Sequence, residues 1–465
     1  MRASLAKNTF LLVLAQAIRV VAQALFIILV RRRLGTMGFG DFAVAFVLSK
    51  LITQLAELGF STTLLRDVSR EPSELRGVIS AALGLRSLTS LAVGAILVVV
   101  AFLLPYPKAV AVATVLFGVS YLAQSFSQLF FAALRSHERV QYEPAALLIY
   151  AGALLAGAGW VVRRGGGLEM LAGVALIAQL AALLWIASAG AVVLRGQIGF
   201  LLALKPLKRF WTSSWPIGLG GIGYLVYYQA DTILLYFLRG DYETGVYSTA
   251  YQLVSVSLIL PVSYFTALMP RLVAALQANR TEARRLLRLS SRWMLSLGLP
   301  LAIGTGAVAP KLLAFLFPDA AVESVLPLQL LIWLAAISYF GQTFTHAALV
   351  IQGARIYMRL SVLGGIVNTV ANLLVIPRWG YLGACATTLG TELLINGLFF
   401  ALVNRKVGRI PLLQPLWRPL AASLVMLAGL WLIGDWPLLP QIAAGAAMYA
   451  VALLALGGRT QLLSS

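Results

Sequence analysis

The chain has 465 residues, of which 60% are hydrophobic and only 11% are charged, and its mean hydropathy is +0.89. A soluble domain carries roughly 25% charged residues, so this composition excludes a soluble globular protein and predicts an all-α, polytopic integral membrane protein. The formal net charge is +20. A nucleic-acid partner is not expected, because the basic residues follow the sidedness of a membrane topology instead of forming one patch.

Apolar segments of spanning length recur along the whole chain. A spanning helix needs about 20 apolar residues, and on this basis we predict about fourteen transmembrane helices. They lie near residues 9–30, 40–60, 78–104, 110–134, 144–162, 168–193, 212–238, 244–268, 293–316, 325–352, 358–377, 381–403, 416–433 and 438–457. With a cytoplasmic N-terminus, most Lys and Arg fall on the cytoplasmic side, so both termini are predicted to be cytoplasmic. The basic run at 31–33 is placed in the loop after helix 1.

Two short segments repeat in register in the two halves. The segment 39–46, FGDFAVAF, opens helix 2, and the segment 244–251, TGVYSTAY, opens helix 8. Helices 4 and 10 share a second, weaker match that begins at Tyr121 and Tyr339. The copies are six helices apart and keep the same orientation, which predicts a parallel repeat of two pseudo-symmetric six-helix lobes with the substrate between them. The predicted domains are an N-terminal lobe (1–194), a basic cytoplasmic linker (195–211), a C-terminal lobe (212–403), and helices 13 and 14 with the tail (404–465).

A second basic segment, residues 271–292, precedes helix 9. Asn279 and Glu282 have the spacing of a capping box, which favours a helix that starts at this point. A solvated loop that only sets the topology is the alternative.

Polar stripes at helical period mark helices 1 and 2. The members are Gln16, Arg19 and Gln23 on helix 1, and Lys50, Gln54 and Glu57 on helix 2. Polar side chains that share one face of an apolar helix are expected to face a watery cavity. Arg19 and Lys50 lie at similar counts from their helix ends, and a cavity with both charges would attract a diphosphate. Alternatively, these two cations pair with Glu57 or reach a membrane interface. Arg86 on helix 3 is expected to reach an interface.

Further polar candidates lie in helices 7, 10 and 12. Tyr224, Tyr228 and Asp231 share a face of helix 7, where the rings could stack on sugars. A carboxylate inside a membrane helix is costly and marks a functional site by default. Asp231 could instead be a structural hydrogen-bond acceptor, and the tyrosines could be packing residues. His346 is either a proton carrier or an interhelical contact, and Glu392 either a coupling acid or a cap for Thr388 or Asn396.

No pattern of catalytic or metal-binding residues is found in the sequence. The chain has one cysteine, Cys385, and two histidines, so we expect no disulfide, metal site or cofactor. No loop is long enough for a catalytic domain. The sequence therefore predicts a protein that is not an enzyme and whose function depends on electrostatics within the membrane.

Two stretches carry a family resemblance. In Tyr224–Tyr251, the acid Asp231 and a short loop lead into a helix start of the form Gly-x-Tyr-x-x-Ala-Tyr. The stretch 353–392 has the Asn pair Asn368 and Asn372, then Ile-Pro, a short Gly loop, Gly-Ala-Cys-Ala-Thr and Glu392. Over residues 5–403 the chain resembles the oligosaccharide flippases of bacterial polysaccharide export. These belong to the superfamily that includes multidrug and toxin extrusion pumps and the lipid II flippase.

The resemblance implies a transporter in the inner or plasma membrane. Its cargo would be a polyprenyl-diphosphate-linked oligosaccharide, moved to the outer leaflet by alternating access for polysaccharide biosynthesis. Such flippases carry basic cavity residues on their first, second and eighth helices, which match Arg19 and Lys50 and, loosely, Arg271. Implied partners are membrane lipids, polysaccharide assembly proteins, and protons or sodium ions coupled through Glu57, Asp231, His346 or Glu392. The alternatives are a multidrug and toxin exporter and an integral-membrane glycan polymerase or ligase.

Overall fold

A computed structural model of the chain describes residues 2–60, 63, 75–137, 139–194, 204–318, 322–411 and 413–458. All regular secondary structure within these ranges is helical. Ten of the described stretches are long and apolar enough to cross a membrane. The prediction of an all-α, multi-pass membrane protein is confirmed. Most of the predicted linker, 195–203, lies outside the described residues.

The chain divides into two compact units, Met1–Tyr236 and Phe237–Ser465. The described helices of unit 1 are α1 (Arg2–Glu57), α2 (Leu75–Leu103), α3 (Lys108–Ser136), α4 (Tyr142–Arg164), α5 (Leu168–Val193) and α6 (Leu204–Arg239), whose last residues belong to unit 2. Those of unit 2 are α7 (Asp241–Ser257), α8 (Ile259–Ala278), α9 (Arg280–Leu316), α10 (Val325–Gln352), α11 (Ala354–Val407), α12 (Leu413–Leu432) and α13 (Leu438–Leu453). A π-helical turn, Leu454–Gly458, follows α13.

Two helices, α1 and α11, are about twice as long as a single span, and each is broken at one glycine. Gly35 has φ 70° and ψ −170°, and Gly380 has φ 54° and ψ −137°. Side chains with a Cβ atom rarely adopt such angles, so glycine lets the chain turn without a separate loop. Each helix therefore consists of two arms.

The basic run 31–33 lies on the first arm of α1 and not in a loop, so that expectation was wrong. Arg31 is buried and donates to Thr36 Oγ1 at 2.9 Å, across the break. Arg33 Nε donates to Gly166 O at 3.1 Å. Carbonyl and hydroxyl oxygens near the break give these guanidinium groups local partners, so the helix continues through them.

Glu243 fixes the corresponding break in α11. Its Oε2 accepts a hydrogen bond from the Tyr381 amide at 2.9 Å, and its Oε1 accepts one from Arg239 Nε at 2.8 Å. A side chain on Gly380 would overlap this carboxylate. The loop between α6 and α7 is therefore tied to the turn between the two arms of α11.

The repeated segments form equivalent aromatic pairs in the two units. In unit 1, Phe42 and Phe46 stack with ring centroids 5.4 Å apart and an interplanar angle of 25°. In unit 2, Tyr247 and Tyr251 stack at 5.7 Å and 18°. Phe42 and Tyr247 are fully buried. The same one-turn pair thus occurs at matched sequence positions in the two units, and the six-helix repeat stays a prediction.

The basic segment 271–292 is divided between the end of α8, which stops at Ala278, and the start of α9, which begins at Arg280. Asn279 is the N-cap, and its Oδ1 accepts a hydrogen bond from the Glu282 amide at 2.7 Å. The capping-box spacing thus marks a real helix start, as predicted. The helix runs on without interruption into the membrane span.

The last two helices pack against α9 within unit 2. The hydroxyl of Tyr449 on α13 donates to Ser296 O at 2.7 Å, and Lys311 Nζ donates to Trp436 O at 2.7 Å. An apolar cavity of about 400 Å³ lies among α8, α9, α10, α12 and α13, with Met426 and Leu430 in its wall.

Candidate functional site

A polar cavity of about 40 Å³ lies inside unit 1 beside Arg19. Ala15 and Ala22 bury one face of α1 against the core, which brings Arg19 to the cavity edge. Arg19 Nε donates to Gln16 Oε1 at 3.2 Å. The other polar side chains in the wall are Gln124, Ser127, Gln128, Tyr150 and Gln179.

These wall residues were missed by the sequence analysis. Gln124 and Gln128 lie one turn apart on the otherwise apolar α3, which is the signal that marked Gln16 and Arg19 on α1. Gln179 on α5 is buried and donates to Ser127 Oγ at 3.2 Å. A ring of amides and hydroxyls around one guanidinium can hydrate it or hold an anion, because amides donate as well as accept.

A carboxylate close to the cavity is already neutralised. Arg135 Nε and Nη2 donate to the two oxygens of Glu143 at 2.8 and 2.6 Å, a bidentate pair. Gln16 Nε2 lies 3.5 Å from Glu143 Oε1. Within the described ranges, no carboxylate forms an ion pair with Arg19. The charge of Arg19 is therefore available to an anion.

Lys50 and Gln54 lie on the second arm of α1, and both are partly buried. In the part of the chain that the structure describes, the ammonium group of Lys50 has neither a hydrogen bond nor an ion pair. Gln54 lies beside α6, since a Cβ atom on Gly221 would be 3.6 Å from Gln54 Nε2. Gln23 on the first arm is also partly buried.

Glu57 pairs with Arg86 and not with Arg19 or Lys50. Arg86 is fully buried, and its Nη2 donates to Glu57 Oε2 at 2.5 Å. Its Nη1 donates to Ala56 O at 2.9 Å, and its guanidinium carbon lies 5.0 Å from the centroid of the Phe60 ring. The expectation that Arg86 reaches an interface was wrong, because α2 packs against the end of α1, where this carboxylate and carbonyl satisfy it.

The predicted tyrosine and acid face of helix 7 lies on α6. The side chain of Tyr224 lies outside the described residues. Tyr228 is partly buried, and its ring centroid lies 4.6 Å from that of Tyr227. Asp231 is buried, with 1% of its surface exposed, and its Oδ1 accepts a hydrogen bond from the Thr232 amide at 2.8 Å. Its role in coupling or in structure stays a prediction.

The predicted residues of unit 2 lie at separate places in that unit. His346 stacks on Phe265 at 4.7 Å, and its Nδ1 lies 2.9 Å from Gln342 O. Glu392 is buried and accepts a hydrogen bond from Asn396 Nδ2 at 2.9 Å, in line with the capping alternative, and a further one from Ser338 Oγ on α10. Arg271 is exposed on α8.

The Asn pair quoted for the family resemblance is buried in unit 2. Asn372 Nδ2 donates to Asn368 Oδ1 at 2.9 Å, and Thr387 Oγ1 donates to Asn372 Oδ1. This chain of hydrogen bonds links the two arms of α11. Among the described residues, no group of three or more His, Cys, Asp or Glu side chains could hold a metal ion.

The fold is similar to those of solved transporter structures. "Lipid II flippase MurJ, inward closed conformation" has a TM-score of 0.77 and 14% identity, covering 97% of this chain and 100% of that chain. An inward-facing multidrug resistance MATE family transporter of the MOP superfamily has a TM-score of 0.70 and 14% identity, covering 84% and 94%. A MOP superfamily transporter from Pyrococcus furiosus, described as having reverse polarity of its binding pocket, has a TM-score of 0.63 and 13% identity, covering 86% of this chain and 95% of that chain.

Family membership is shown by a sequence match. No curated protein matches the chain. The family model described as "Polysaccharide biosynthesis protein" matches residues 5–275, more than half of the chain. The matched residues include the polar positions on both arms of α1, the wall of the cavity beside Arg19, and the stretch 224–251, which is one of the two stretches that carry the resemblance. The chain therefore belongs to the polysaccharide biosynthesis protein family and has the fold of the MOP superfamily transporters.

Proposed function

We propose that this protein flips a polyprenyl-diphosphate-linked oligosaccharide from the cytoplasmic to the outer leaflet by alternating access. The observation that carries the proposal is the match to the lipid II flippase, which includes 97% of this chain and 100% of that one. The match to the inward-facing multidrug transporter includes only 84% of this chain. The chain also belongs to a family described as polysaccharide biosynthesis proteins. The fuller match to the lipid II flippase and this family membership together favour a lipid-linked glycan over a drug as cargo.

A topology of fourteen spans fits the described helices. Two of the ten candidate stretches have 47 and 53 residues and contain the breaks at Gly35 and Gly380, so each is long enough for two spans. The long helix α6 and the shorter apolar helix α12 supply the other two. An even number of spans puts both termini on the same side, and the positive-inside rule favours the cytoplasm of a plasma or inner membrane.

Arg19 and Lys50 are the proposed diphosphate site. They lie about 15 residues on either side of Gly35, which is about 23 Å along each arm at 1.5 Å per residue. If the arms cross the bilayer in opposite directions, the two charges lie at a similar depth. A diphosphate in this region would replace the water or amide contacts of both cations, which removes much of the cost of taking its charge out of water.

The remaining predicted residues take supporting roles in the proposal. Gln16, Gln23 and Gln54 would hydrate or bind the headgroup, Tyr224 and Tyr228 would contact sugar rings, and Arg271 would attract the lipid-linked substrate at the membrane surface. Asp231, Glu57, His346 and Glu392 are the candidates for coupling to protons or sodium ions, because ionisable groups within spans mark ion pathways. Polysaccharide assembly proteins are the proposed partners.

The test is translocation in proteoliposomes that contain a fluorescent polyprenyl-diphosphate-linked oligosaccharide. Wild-type protein should make the inner-leaflet headgroup accessible to an external glycosidase. Removing one charged hydrogen-bonding group costs about 1.5–3 kcal/mol, so Arg19→Ala and Lys50→Ala should each slow translocation about 10- to 100-fold. Arg163→Ala is the matched control, since Arg163 is exposed at the end of α4, and it should keep the wild-type rate.

The outcome also separates the alternatives. Wild-type translocation by the Arg19→Ala, Lys50→Ala double variant would show that the diphosphate binds elsewhere. Efflux of ethidium without translocation of the lipid-linked glycan would support the multidrug exporter. A longer glycan product formed from the same substrate would support the polymerase or ligase.

A further inference from the structure

A chain of polar contacts in unit 1 ends at Arg19, one of the two cations of the proposed diphosphate site. Arg19 Nε donates to Gln16 Oε1 at 3.2 Å, and Gln16 Nε2 donates to Glu143 Oε1 at 3.5 Å. The two oxygens of Glu143 also accept from Arg135, at 2.8 Å from Nε and 2.6 Å from Nη2. The helices α1, α3 and α4 therefore each supply part of one connected set of side chains.

The ends of α3 and α4 favour the pair between Glu143 and Arg135. Glu143 lies in the first turn of α4 and Arg135 in the last turn of α3, where the helix dipole stabilises an acid and a cation respectively. The Glu143 side chain is 3% exposed and that of Arg135 is 38% exposed. The bidentate pair thus cancels the charge of a buried carboxylate, which leaves Glu143 able to accept from Gln16 without neutralising Arg19.

The chemistry of the three groups dictates how the Gln16 amide is oriented. A side-chain amide has an accepting oxygen at one end and a donating nitrogen at the other. The guanidinium of Arg19 can only donate, and the ionised carboxylate of Glu143 can only accept. One orientation of the amide satisfies both neighbours. Without an acceptor at Glu143, the amide is free to turn its own N–H groups towards Arg19, which then has no acceptor for Nε.

The orientation of Gln16 determines which donors Arg19 presents to a ligand. The hydrogen bond from Nε fixes the plane of the guanidinium, and within the described residues the two Nη groups have no hydrogen bond. Two Nη groups side by side can donate parallel hydrogen bonds to one phosphate group. A guanidinium that is already held in place also loses less rotational freedom when the ligand binds.

We propose that Glu143 is a positioning residue of the diphosphate site. It does not touch the ligand; through the Gln16 amide it orients the Arg19 guanidinium so that both Nη groups face the phosphate. The inference rests on the proposed function, since it requires that Arg19 binds the diphosphate. If Glu143 only joined the ends of α3 and α4, it would need Arg135 as a partner but not Gln16.

The test compares two double variants of equal charge in the full-length protein. Arg135→Leu, Glu143→Leu removes the acceptor for Gln16, whereas Arg135→Leu, Glu143→Gln keeps an amide oxygen at that position. Binding of a polyprenyl diphosphate in dodecyl maltoside is measured by microscale thermophoresis, with the thermal unfolding midpoint as a measure of folding. One hydrogen bond corresponds to about a 2- to 10-fold difference in affinity, so the Leu, Leu variant should bind that much more weakly than the Leu, Gln variant.

A third substitution distinguishes positioning from a structural role. In a Gln16→Leu background the two double variants should bind with equal affinity, because no amide remains to be oriented. A purely structural role for Glu143 would leave the difference between them unchanged. If the double variants do not fold, the single variants Glu143→Leu and Glu143→Gln give the same comparison at equal charge, since Arg135 is partly exposed and can turn to solvent.

The results also separate this inference from the proposed function. Arg19→Ala should weaken binding about 10- to 100-fold. Wild-type affinity of Arg19→Ala would overturn the diphosphate site and the role of Glu143 together. Weak binding by Arg19→Ala, combined with equal affinities of the two double variants, would overturn the role of Glu143 alone.

Discussion

The buried ion pair between Glu57 and Arg86 allows a quantitative test of unit 1. Changing Glu57 to Leu leaves the Arg86 guanidinium, which is fully buried, without its counter-charge. Breaking a buried pair costs about 3–5 kcal/mol, and we expect about 3 kcal/mol because Arg86 keeps the Ala56 carbonyl and the Phe60 ring. The reverse change, Arg86→Met, should cost less, about 1–2 kcal/mol, because the Glu57 side chain is 24% exposed and water can reach its carboxylate.

Chemical unfolding in mild detergent, followed by circular dichroism, measures these free energies for the two single variants and the double variant. Neighbouring groups couple by about 0.5–3 kcal/mol, and we expect the double variant to be more stable than the sum of the single costs by about 2 kcal/mol. Additive costs, or a larger cost for Arg86→Met than for Glu57→Leu, would refute the pairing. If the Glu57→Leu variant is fully stable but does not transport, Glu57 takes part directly in ion coupling.

Two glycines give further predictions, each with a control on the same helix. Gly218→Ala should destabilise unit 1 by about 1–3 kcal/mol, because its Cβ atom would overlap the Leu58 backbone, whereas Gly221→Ala should be tolerated. Expression and thermal stability in detergent measure both effects. Equal stability of the two variants would contradict the packing of α6 on α1. Gly380→Ala should lower the stability by about 1–3 kcal/mol, because alanine is strained at the backbone angles of Gly380. Gly397 has open space around it, so Gly397→Ala should be neutral or stabilising by the same measurement. A neutral Gly380→Ala would show that α11 does not need this break.

Helix positions could be predicted where a span is bounded by turn residues. The predicted spans 168–193 and 325–352 coincide with α5 and α10, since Gly167 and Gly353 flank them. The predicted interruptions after helices 1 and 11 were placed correctly but assigned the wrong conformation. One glycine with positive φ makes each turn, so residues expected in a loop are helical on both sides.

Side-chain partners could not be predicted from spacing along one helix. The spacing of Lys50, Gln54 and Glu57 places them on one face of a helix, but the partner of Glu57 is on α2, 29 residues further along the chain. Periodicity reports which residues share a face, whereas the neighbour of that face is set by tertiary packing. The same limitation hid Gln179, whose single amide on α5 has no periodic companion.

The two cations of the proposed diphosphate site differ in how much of their hydrogen-bonding capacity is already used. Arg19 donates one N–H to Gln16, and its remaining donors adjoin a polar cavity that can hold water. Lys50 has no such partner within the described chain, so an anion that binds it replaces only water. A ligand must break more existing contacts at Arg19 than at Lys50. In exchange, the planar guanidinium of Arg19 can donate two parallel hydrogen bonds to one phosphate group. Arg19 is therefore suited to orient a diphosphate, and Lys50 to attract it as a point charge.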